Sequence, residues 1–402
     1  MRGDAAATSK VISVVVIGGG YAGVIASNRL LASLTREERA RTRVTIVNPT
    51  DQFIHRIQLH EHAAGIQDAA LDLTSMIHAD VTVLLGRADL IDSVDRVVDV
   101  ETADGIRTLT FDWLVYAVGS RSSTRARGAK EFAVSIGGIE GAREIARRFA
   151  TSRIRTVCVV GGGPAGVETA AELAQAHTTT DVTLLAGRQL LSAMRASARH
   201  SIRGRLRRLG VTVVEGASVT EVTAAGVAMD DGDRLRFDLV VWSAGFEVPD
   251  LARRSGLPVD DEGRLIVDDA LVCVGDAHIL GAGDAVKAPE SVARHLTMGA
   301  RTALPLGGAA ADTLLARMRG KAPKPISIGL LGPSISLGRA DGYIQLARRD
   351  DTPTPIAFTG AIGAAVKAWV CRMTIDRTRA ERATPGAYRV PTGPRRVPAG
   401  SE

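Results

Sequence analysis

Glycines recur at one spacing in two places, each time between an apolar run and an alanine-rich stretch. Residues 14–30 read VVVIGGGYAGVIASNRL, and residues 157–173 read VCVVGGGPAGVETAAEL. In such a loop the first glycine makes a tight turn, the second lets a phosphate approach the backbone, and the third lets the helix pack against the strand. The free N–H groups that begin the helix then favour a pyrophosphate. The two loops together predict two dinucleotide sites.

A third stretch, residues 271–289, places a glycine and an aspartate after an apolar run. A strand is expected to deliver Gly283 and Asp284, where the carboxylate can accept hydrogen bonds from a polyol chain that passes close to the glycine. Thr297 is expected to cap a helix that runs on through Met298. The N-terminus of that helix would stabilise negative charge on a bound ligand. An ordinary strand-to-helix turn with a capping aspartate is the alternative.

The elements around the two loops repeat in the same order. Each copy begins with a buried β-branched strand and a helix, followed by a short strand at residues 44–47 or 182–185. An aspartate, an apolar strand and a glycine then follow at residues 112–120 and 238–246. We therefore predict an α/β chain with two Rossmann-like dinucleotide-binding domains.

The order of GGGYAG, YAVGS, GGGPAGVE and GAGDA resembles the pyridine-nucleotide-dependent flavoprotein reductases over roughly residues 13–320. This resemblance implies FAD at the first loop, NADH or NADPH at the second, and the FAD ribityl chain at the glycine–aspartate pair. Residues 47–65 (VNPTDQFIHRIQLHEHAAG) and 161–168 (GGGPAGVE) are similar to type II NADH dehydrogenases within that superfamily. The implied activity is hydride transfer from the nicotinamide to FAD, then electron transfer to a quinone or another organic acceptor.

The resemblance assigns a set of contacts to each nucleotide and expects no metal ligands. The implied FAD contacts are Gly18, Gly20, Tyr21, Ala22, Gly23, Asn48, Ala88, Gly119, Gly283, Asp284, Thr297 and Met298. The implied NAD(P)H contacts are Gly161, Gly163, Pro164, Ala165, Gly166, Glu168, Arg188 and Gly245.

The residue that ends the second strand of such a unit is usually a carboxylate that binds the adenosine ribose. Asn48 stands there in the first unit, and its amide can still bond a hydroxyl group. The second unit has Ala186, with Arg188 two residues further on. Without a carboxylate nothing repels a 2′-phosphate, and Arg188 could pair with one, although a solvated loop arginine is the alternative. NADH and NADPH both remain open.

Hydride transfer requires positioning of the two rings more than acid–base groups. Glu168 matches a glutamate that lies near nicotinamide and flavin in the relatives, and its implied role is orientation and proton transfer; it could instead complement the helix dipole. His295 could face the flavin or donate a proton to the acceptor, or be structural. His60 and Glu61 are interpreted as packing or interdomain polar residues rather than catalytic ones, and the role of Arg56 stays open.

The acceptor is a hypothesis, because two glutamines common in quinone-reducing members are replaced by Met298 and Thr302. One alternative is a soluble reductase of a small electron-transfer protein such as a ferredoxin. Another is a non-enzymatic, nucleotide-sensing flavoprotein that resembles apoptosis-inducing factor. A thiol mechanism is not expected, because Cys158, Cys273 and Cys371 form no closely spaced pair.

The region after the second domain differs in pattern. Residues 325–331 and 334–347 alternate like strands, and residues 359–376 carry an apolar helical stripe that could rest on a membrane or pack against protein. The predicted organisation divides the FAD domain into two parts around the NAD(P) domain and adds a small α+β region and a disordered tail. The predicted bounds are 11–125 and 269–320 for FAD, 126–268 for NAD(P), 321–384 for the α+β region, and 385–402 for the tail.

Bulk composition narrows the classes of partner. The net charge is +6, but aromatic residues are only 3% and the arginines are scattered, which argues against nucleic-acid binding. No apolar run of about 18 residues occurs, so no membrane span is expected. The sparse cysteines fit a cytoplasmic protein, with peripheral contact on the inner face of the membrane and homodimer formation as further possibilities.

Overall fold

Both glycine loops join a strand to a helix in the computed structural model, which describes residues 10–124 and 126–394. The helices are α1 (Tyr21–Ser33), α2 (Arg36–Ala40), α3 (Leu59–Ala63), α4 (Ala129–Phe132), α5 (Ile139–Thr151), α6 (Pro164–Ala176), α7 (Ala196–Arg208), α8 (Leu251–Arg254), α9 (Glu290–Ala293), α10 (Ala300–Met318) and α11 (Gly360–Ala380). The first strands are β1 (Ile12–Ile17), β2 (Thr42–Asn48), β3 (Gln52–Ile54), β4 (Ala70–Asp72), β5 (Val81–Leu85), β6 (Arg87–Asp92), β7 (Val97–Thr102), β8 (Gly105–Thr110), β9 (Trp113–Tyr116) and β10 (Arg121–Ser122). They are followed by β11 (Val134–Ser135), β12 (Thr156–Val160), β13 (Asp181–Leu185), β14 (Thr212–Val214), β15 (Val219–Thr223), β16 (Gly226–Met229), β17 (Arg234–Arg236), β18 (Leu239–Trp242) and β19 (Phe246–Glu247). The last strands are β20 (Leu265–Ile266), β21 (Val272–Cys273), β22 (Asp276–Gly281), β23 (Val286–Lys287), β24 (Ser334–Ser336), β25 (Gly342–Ala347) and β26 (Pro353–Thr359).

The first domain is built on a six-stranded sheet in the order β21-β22-β9-β1-β2-β5. Its strands are parallel except for β21, which pairs with β22 in the antiparallel sense. The buried run from Val14 to Ile17 occupies the centre of the sheet, as its continuous apolar character predicts. Helices α1 and α10 cross on one face, where a side chain at Gly307 would collide with the backbone of Ala22.

The second domain repeats this plan with a parallel sheet in the order β11-β18-β12-β13-β14. In each sheet the strand before the glycine loop is central and is flanked by the second strand of its βαβ unit and by the later apolar strand. Antiparallel hairpins, β6-β7-β8 and β15-β16-β17, follow at equivalent points. The predicted α/β class with two dinucleotide-binding domains is confirmed.

The second crossing between the domains lies earlier than the predicted boundary at residue 268. Val248, Leu251, Leu257, Leu265 and Val267 are buried in the core of the first domain. The chain therefore returns just after β18, near residue 245. The sequence showed that these residues are apolar, but apolar character alone does not show which of two cores a segment joins.

The C-terminal region is α+β, as predicted, with the antiparallel sheet β24-β25-β26 packed against α11. The alternation of residues 325–331 predicted a strand, but none is assigned there. That segment buries Ile326, Ile328 and Leu330 against the first core. The alternating pattern correctly indicated which side chains are buried, but their burial does not depend on pairing with a neighbouring strand.

The prediction of a disordered tail from residue 385 is wrong for residues 385–394. The backbone N–H of Tyr388 donates to Glu381 Oε1 at 3.0 Å, and its carbonyl accepts from Arg29 at 2.9 Å. Gly393 N donates to Ser327 Oγ at 3.1 Å. The prolines and glycines of this segment weaken the sequence patterns typical of helix and strand, but the segment still makes tertiary contacts. Residues 395–402 lie outside the described part of the chain.

The longest helices are α10, of 19 residues, and α11, of 21 residues. Within the described ranges, no helix combines the length and the apolar character that crossing a bilayer requires.

Candidate functional site

The first glycine loop leaves open space at the N-terminus of α1. Gly18 has φ +110°, which L side chains rarely adopt. A side chain at Gly23 would collide with Gly18, so this glycine lets helix and strand approach closely. A side chain at Gly20 would meet nothing within 4 Å among the described residues. In this part of the structure α1 also has no side-chain cap and no acid in its first turn, so its positive end is free for an anion.

Asn48 borders this loop, and Ala88 lies close to it in the chain that follows β5. Asn48 Oδ1 accepts a hydrogen bond from Gly19 N at 2.8 Å, and its Nδ2 donates to Thr50 O at 2.7 Å. The Asn48 carbonyl accepts a hydrogen bond from Gly86 N at 2.9 Å, and the buried Ala88 lies two residues after Gly86, on β6. These contacts bring both predicted FAD residues to the end of β2.

Asp284 joins three predicted segments at the carboxyl edge of the first sheet. Its Oδ2 accepts from Ser120 Oγ, and its Oδ1 accepts from Gly299 N, both at 2.7 Å. Gly119 and Gly283 have φ values of +69° and +83°, which permit the chain to turn beside the carboxylate. The glycine–aspartate pair thus links the end of β9 to the start of α10.

The predicted cap of α10 is wrong. The helix begins at Ala300 with Gly299 as its N-cap, at φ +134°, and no side chain caps it in the described structure. Thr297 is exposed, and its Oγ1 accepts from Arg301 Nη2 at 3.0 Å. Asp284, from the preceding loop, supplies the anion at this helix start instead, which sequence spacing alone could not reveal.

The second loop repeats the first. Gly161 has φ +131°, and a side chain at Gly166 would collide with Gly161. A side chain at Gly163 would meet nothing within 4 Å of the described residues. Pro164 begins α6, whose first turn has no acid in the described chain, and Ala165 follows in that turn. This helix start therefore also suits a phosphate group.

A cavity of about 800 Å³ adjoins the second loop. One wall consists of Gly162, Gly163 and Pro164, and another consists of Thr297 and Met298 from the first domain. Met298 is followed by Gly299, whose N–H donates to Asp284, so this wall of the cavity adjoins the glycine–aspartate segment through one hydrogen bond. Predicted NAD(P)H residues and two of the predicted FAD residues therefore border one space.

Glu168 lies one turn into α6 and forms a buried ion pair with Lys367 of α11. Lys367 Nζ donates to Glu168 Oε1 at 2.7 Å, and Ser336 N donates to the same oxygen at 3.0 Å. His60 Nδ1 lies 3.9 Å from Glu168 Oε2. Glu168, Lys367 and His60 are 7%, 8% and 4% exposed, so the cluster is shielded from water.

The charge state of this cluster follows from burial opposed by pairing. Burial raises the pKa of Glu168, but the charge of Lys367, together with His60 and the hydrogen bonds from Lys367 and Ser336, leaves the pKa below its usual value. Burial lowers the pKa of Lys367, but the charge and hydrogen bond of Glu168, together with neighbouring acidic groups, leave the pKa raised. Burial lowers the pKa of His60 even though the nearby Glu168 opposes this effect. The imidazole is therefore neutral at neutral pH. The pair is ionised beside a neutral histidine.

Sequence reasoning missed Lys367, because it lies off the apolar stripe of residues 359–376. The structure turns the opposite stripe inward: Gly363, Lys367 and Cys371 are buried, whereas Ile362 and Trp369 are 64% and 56% exposed. A signal was present, since Gly363, Lys367 and Cys371 recur at intervals of four along one helical face.

A second, polar cavity of about 420 Å³ opens beside the ion pair, and its lining includes His55, Glu172, Lys367 and Cys371. His55 Nδ1 lies 2.9 Å from the hydroxyl of Tyr21, a residue of the first loop. His55 Nε2 and Glu172 Oε1 are buried without a partner in the described chain. Burial raises the pKa of Glu172 to about 7 and lowers that of His55 to about 4.

The remaining candidates have structural partners. His295 Nε2 lies 2.7 Å from the carbonyl oxygen of Ile328, so its ring is bonded to the C-terminal region. Gly245, at φ +73°, accepts from Ser123 N at 3.2 Å where the chain crosses between domains. Arg56 donates to the carbonyls of Ser120 and Gly137 at 2.6 and 3.0 Å, which places it between the domains.

The three cysteines are buried and free. Burial raises the pKa of all three thiols, and that of Cys371 reaches about 11. Reactive thiols require the opposite shift, towards the thiolate.

Two glycine loops at parallel-sheet edges, the second bordering a cavity that also reaches Met298 of the first domain, are typical of two-dinucleotide oxidoreductases. The family model for pyridine nucleotide-disulphide oxidoreductases matches residues 12–299. The chain belongs to this family, and the predicted superfamily is confirmed.

Named relatives agree with the narrower resemblance. An NADH dehydrogenase-like protein of Mycobacterium tuberculosis is 30% identical over 294 residues, covering 68% of this chain and 73% of the relative. The type II NADH:quinone oxidoreductase Ndh of Mycobacterium tuberculosis is 28% identical over 396 residues, covering 87% of this chain and 81% of the relative. The structure of NDH2 from Plasmodium falciparum in complex with NADH shares the fold, with a TM-score of 0.76 at 14% identity and coverage of 94% and 99%.

Proposed function

We propose that the chain is an FAD-dependent NAD(P)H:quinone oxidoreductase. The family is one of pyridine-nucleotide oxidoreductases, and relatives that match most of the chain are named type II NADH:quinone oxidoreductases. Bound FAD would supply hydride acceptance from the nicotinamide and electron transfer to the acceptor, and the protein supplies binding, orientation and electrostatics.

One observation carries the proposal: a single cavity is lined by both the second glycine loop and Thr297–Met298. The second loop is suited to a nucleotide pyrophosphate, and Thr297–Met298 adjoin the residue whose N–H bonds to Asp284. A dinucleotide bound at the second loop can therefore reach the first domain. Hydride transfer depends on such proximity.

The first loop fits FAD in its shape and its charge. Gly20 leaves space for a pyrophosphate, and the start of α1 carries no competing acid within the described residues. Asp284 stands near the start of α10, where it can also accept a polyol hydroxyl on its unused lone pairs. The set proposed to hold FAD is Gly18, Gly20, Tyr21, Ala22, Gly23, Asn48, Ala88, Gly119, Gly283, Asp284 and Met298.

Glu168 is proposed to orient the nicotinamide. Its Oε1 is bonded to Lys367 and Ser336, which fixes the side chain, while Oε2 makes no bond as short. An ionised Oε2 can accept a hydrogen bond from a carboxamide group. The neutral His60 and the polar cavity lined by Glu172 offer a route by which a proton can reach this position.

The outward face of the C-terminal region is proposed to contact a membrane. Ile356, Phe358, Ile362 and Trp369 are exposed on β26 and α11, and Arg372 lies exposed on the same helix. Apolar side chains with neighbouring arginine suit the interface of an anionic bilayer. The predicted apolar stripe of residues 359–376 would serve this contact.

Rapid mixing tests the function directly. FAD-loaded protein is mixed anaerobically with NADH or NADPH while flavin absorbance is followed, and the reduced protein is then mixed with a menaquinone analogue. We expect bleaching by at least one nucleotide and rapid recovery with the quinone. Recovery only with a ferredoxin would indicate a soluble reductase instead, and slow recovery with every acceptor would indicate a nucleotide sensor.

A further inference from the structure

The two loops differ in the residue at the end of the second strand of each βαβ unit, the position that usually binds the adenosine ribose. Asn48 and Ala186 are equivalent positions, because the residue before each accepts a 2.9 Å hydrogen bond from the first glycine of its loop. Asn48 presents an amide to its loop, at 2.8 Å from Gly19 N. Ala186 presents only a methyl group, packed where a side chain on Gly162 would have to stand. Its position therefore offers no acceptor for ribose hydroxyls and no negative charge.

Two arginines line the same cavity with unengaged guanidinium groups. Gly187, at φ +65°, turns the chain after the strand, and Arg188 and Arg195 then border the cavity beside Gly163. Both arginines are exposed, and within residues 10–124 and 126–394 neither guanidinium forms a hydrogen bond or an ion pair. Arg301, across the cavity, is by contrast held by Asp351 at 2.8 and 2.7 Å.

Carboxylates near these arginines are already neutralised by partners. Asp351 lines the cavity and is held by Arg301. Glu215, beside the loop, accepts from Leu190 N at 2.6 Å and forms an ion pair with Arg203. The adenosine end of the cavity therefore carries a net positive field.

We propose that the cavity selects NADPH over NADH, with Arg188 and Arg195 binding the 2′-phosphate. This inference rests on the proposed function and identifies its electron donor. A phosphate monoester carries almost two negative charges at neutral pH, and a guanidinium group can donate two parallel hydrogen bonds to it. A ribose 2′-hydroxyl offers no such charge, and Ala186 provides no carboxylate to bind it.

Binding of two nucleotide fragments isolates the 2′-phosphate. FAD-loaded protein is titrated by calorimetry with 2′,5′-ADP and with 5′-AMP, which differ only in that phosphate. We expect 2′,5′-ADP to bind at least about tenfold more tightly, as a charge-assisted pair predicts. Arg188→Ala should remove most of this ratio by weakening 2′,5′-ADP far more than 5′-AMP, and Ala186→Glu should reverse the preference.

Arg208→Ala is the matched control, because this exposed arginine on α7 lies outside the cavity lining. It should keep the wild-type ratio. Equal affinity for the two fragments, or a ratio that survives in both Arg188→Ala and Arg195→Ala, overturns the inference. The rate of flavin reduction distinguishes failure of this inference from failure of the proposed function. Faster reduction by NADH than by NADPH overturns NADPH selection alone. No reduction by either nucleotide overturns the proposed function as well.

Discussion

Glu168 and Lys367 show how a single interaction can depend on parts of the chain that are distant in sequence. The two residues are 199 positions apart, on α6 and α11, and their ion pair is buried. Removing one member of a buried pair leaves an uncompensated charge, which costs about 3–5 kcal/mol, whereas removing both can be nearly neutral. The ion pair is therefore an electrostatic contact between the C-terminal helix α11 and the second domain.

Lys367→Met should lower the free energy of unfolding by about 3 kcal/mol, because it leaves the Glu168 carboxylate buried without its cation. The measurement is urea unfolding of the FAD-loaded protein at pH 7. The double variant Lys367→Met, Glu168→Gln should recover most of the loss. Equal stability of the single variant and the wild type would show that the pair does not form in solution.

The sequence identified one half of this pair. Glu168 follows directly from the glycine motif, because its distance from Gly166 is fixed within one helix. Lys367 has no such local reference, since its position depends on which face of α11 turns inward. Thr297 shows the same limit: spacing predicted a cap, but the carboxylate that reaches this helix start comes from Asp284, thirteen residues earlier.

The reliability of sequence patterns differs between kinds of element. Strands β1, β2, β12 and β13 were predictable, because continuous apolar runs before and after glycine loops leave few alternatives. Helix α11 was predictable as a helix but not in its orientation. It carries an apolar stripe and a second stripe of small and polar residues, and the second one is buried. Small residues permit close packing with β25, as at Gly363 and Gly342.

The outward stripe of α11 makes membrane contact testable. Replacing Ile362 and Trp369 with glutamate should weaken binding to phosphatidylglycerol vesicles at least about tenfold, because it removes apolar burial and adds repulsion from the anionic surface. Vesicle cosedimentation is the measurement.

Val94→Glu is the control for this experiment, since Val94 is an apolar residue in the β6–β7 turn that is even more exposed (89%) than Ile362 and Trp369. It should leave vesicle binding unchanged. Unaltered binding of the double variant would contradict the membrane proposal, and a change in mass by light scattering would instead identify a second copy as the occupant of this face.

At the scale of the whole molecule, the chain passes twice between two similar cores. The crossings run side by side as the strands β10 and β19, where Arg121 and Glu247 also form an ion pair at 2.8 Å. The repeat of glycine loops and strands made two domains predictable. The return near residue 245 was not, because assigning Leu251 or Leu265 to a core requires knowing which surfaces meet.

FAD should stabilise the fold by binding the native state alone. Protein stripped of flavin should unfold at a lower temperature, and FAD at one hundred times its dissociation constant should add about 2.7 kcal/mol of stability. Differential scanning calorimetry provides the measurement. Riboflavin, which lacks the pyrophosphate and the adenosine, should restore little, and an equal effect of riboflavin would mean that the first glycine loop contributes nothing to binding.

The burial of Cys158, Cys273 and Cys371 has a practical consequence for observing this molecule at work. Because burial raises the pKa of each thiol, all three remain protonated and poorly accessible to maleimides at neutral pH. A cysteine placed at the exposed position of Ile362 would therefore take up a fluorophore or spin label selectively. The native cysteines therefore contribute little labelling, and single-site spectroscopy does not require that they be replaced first.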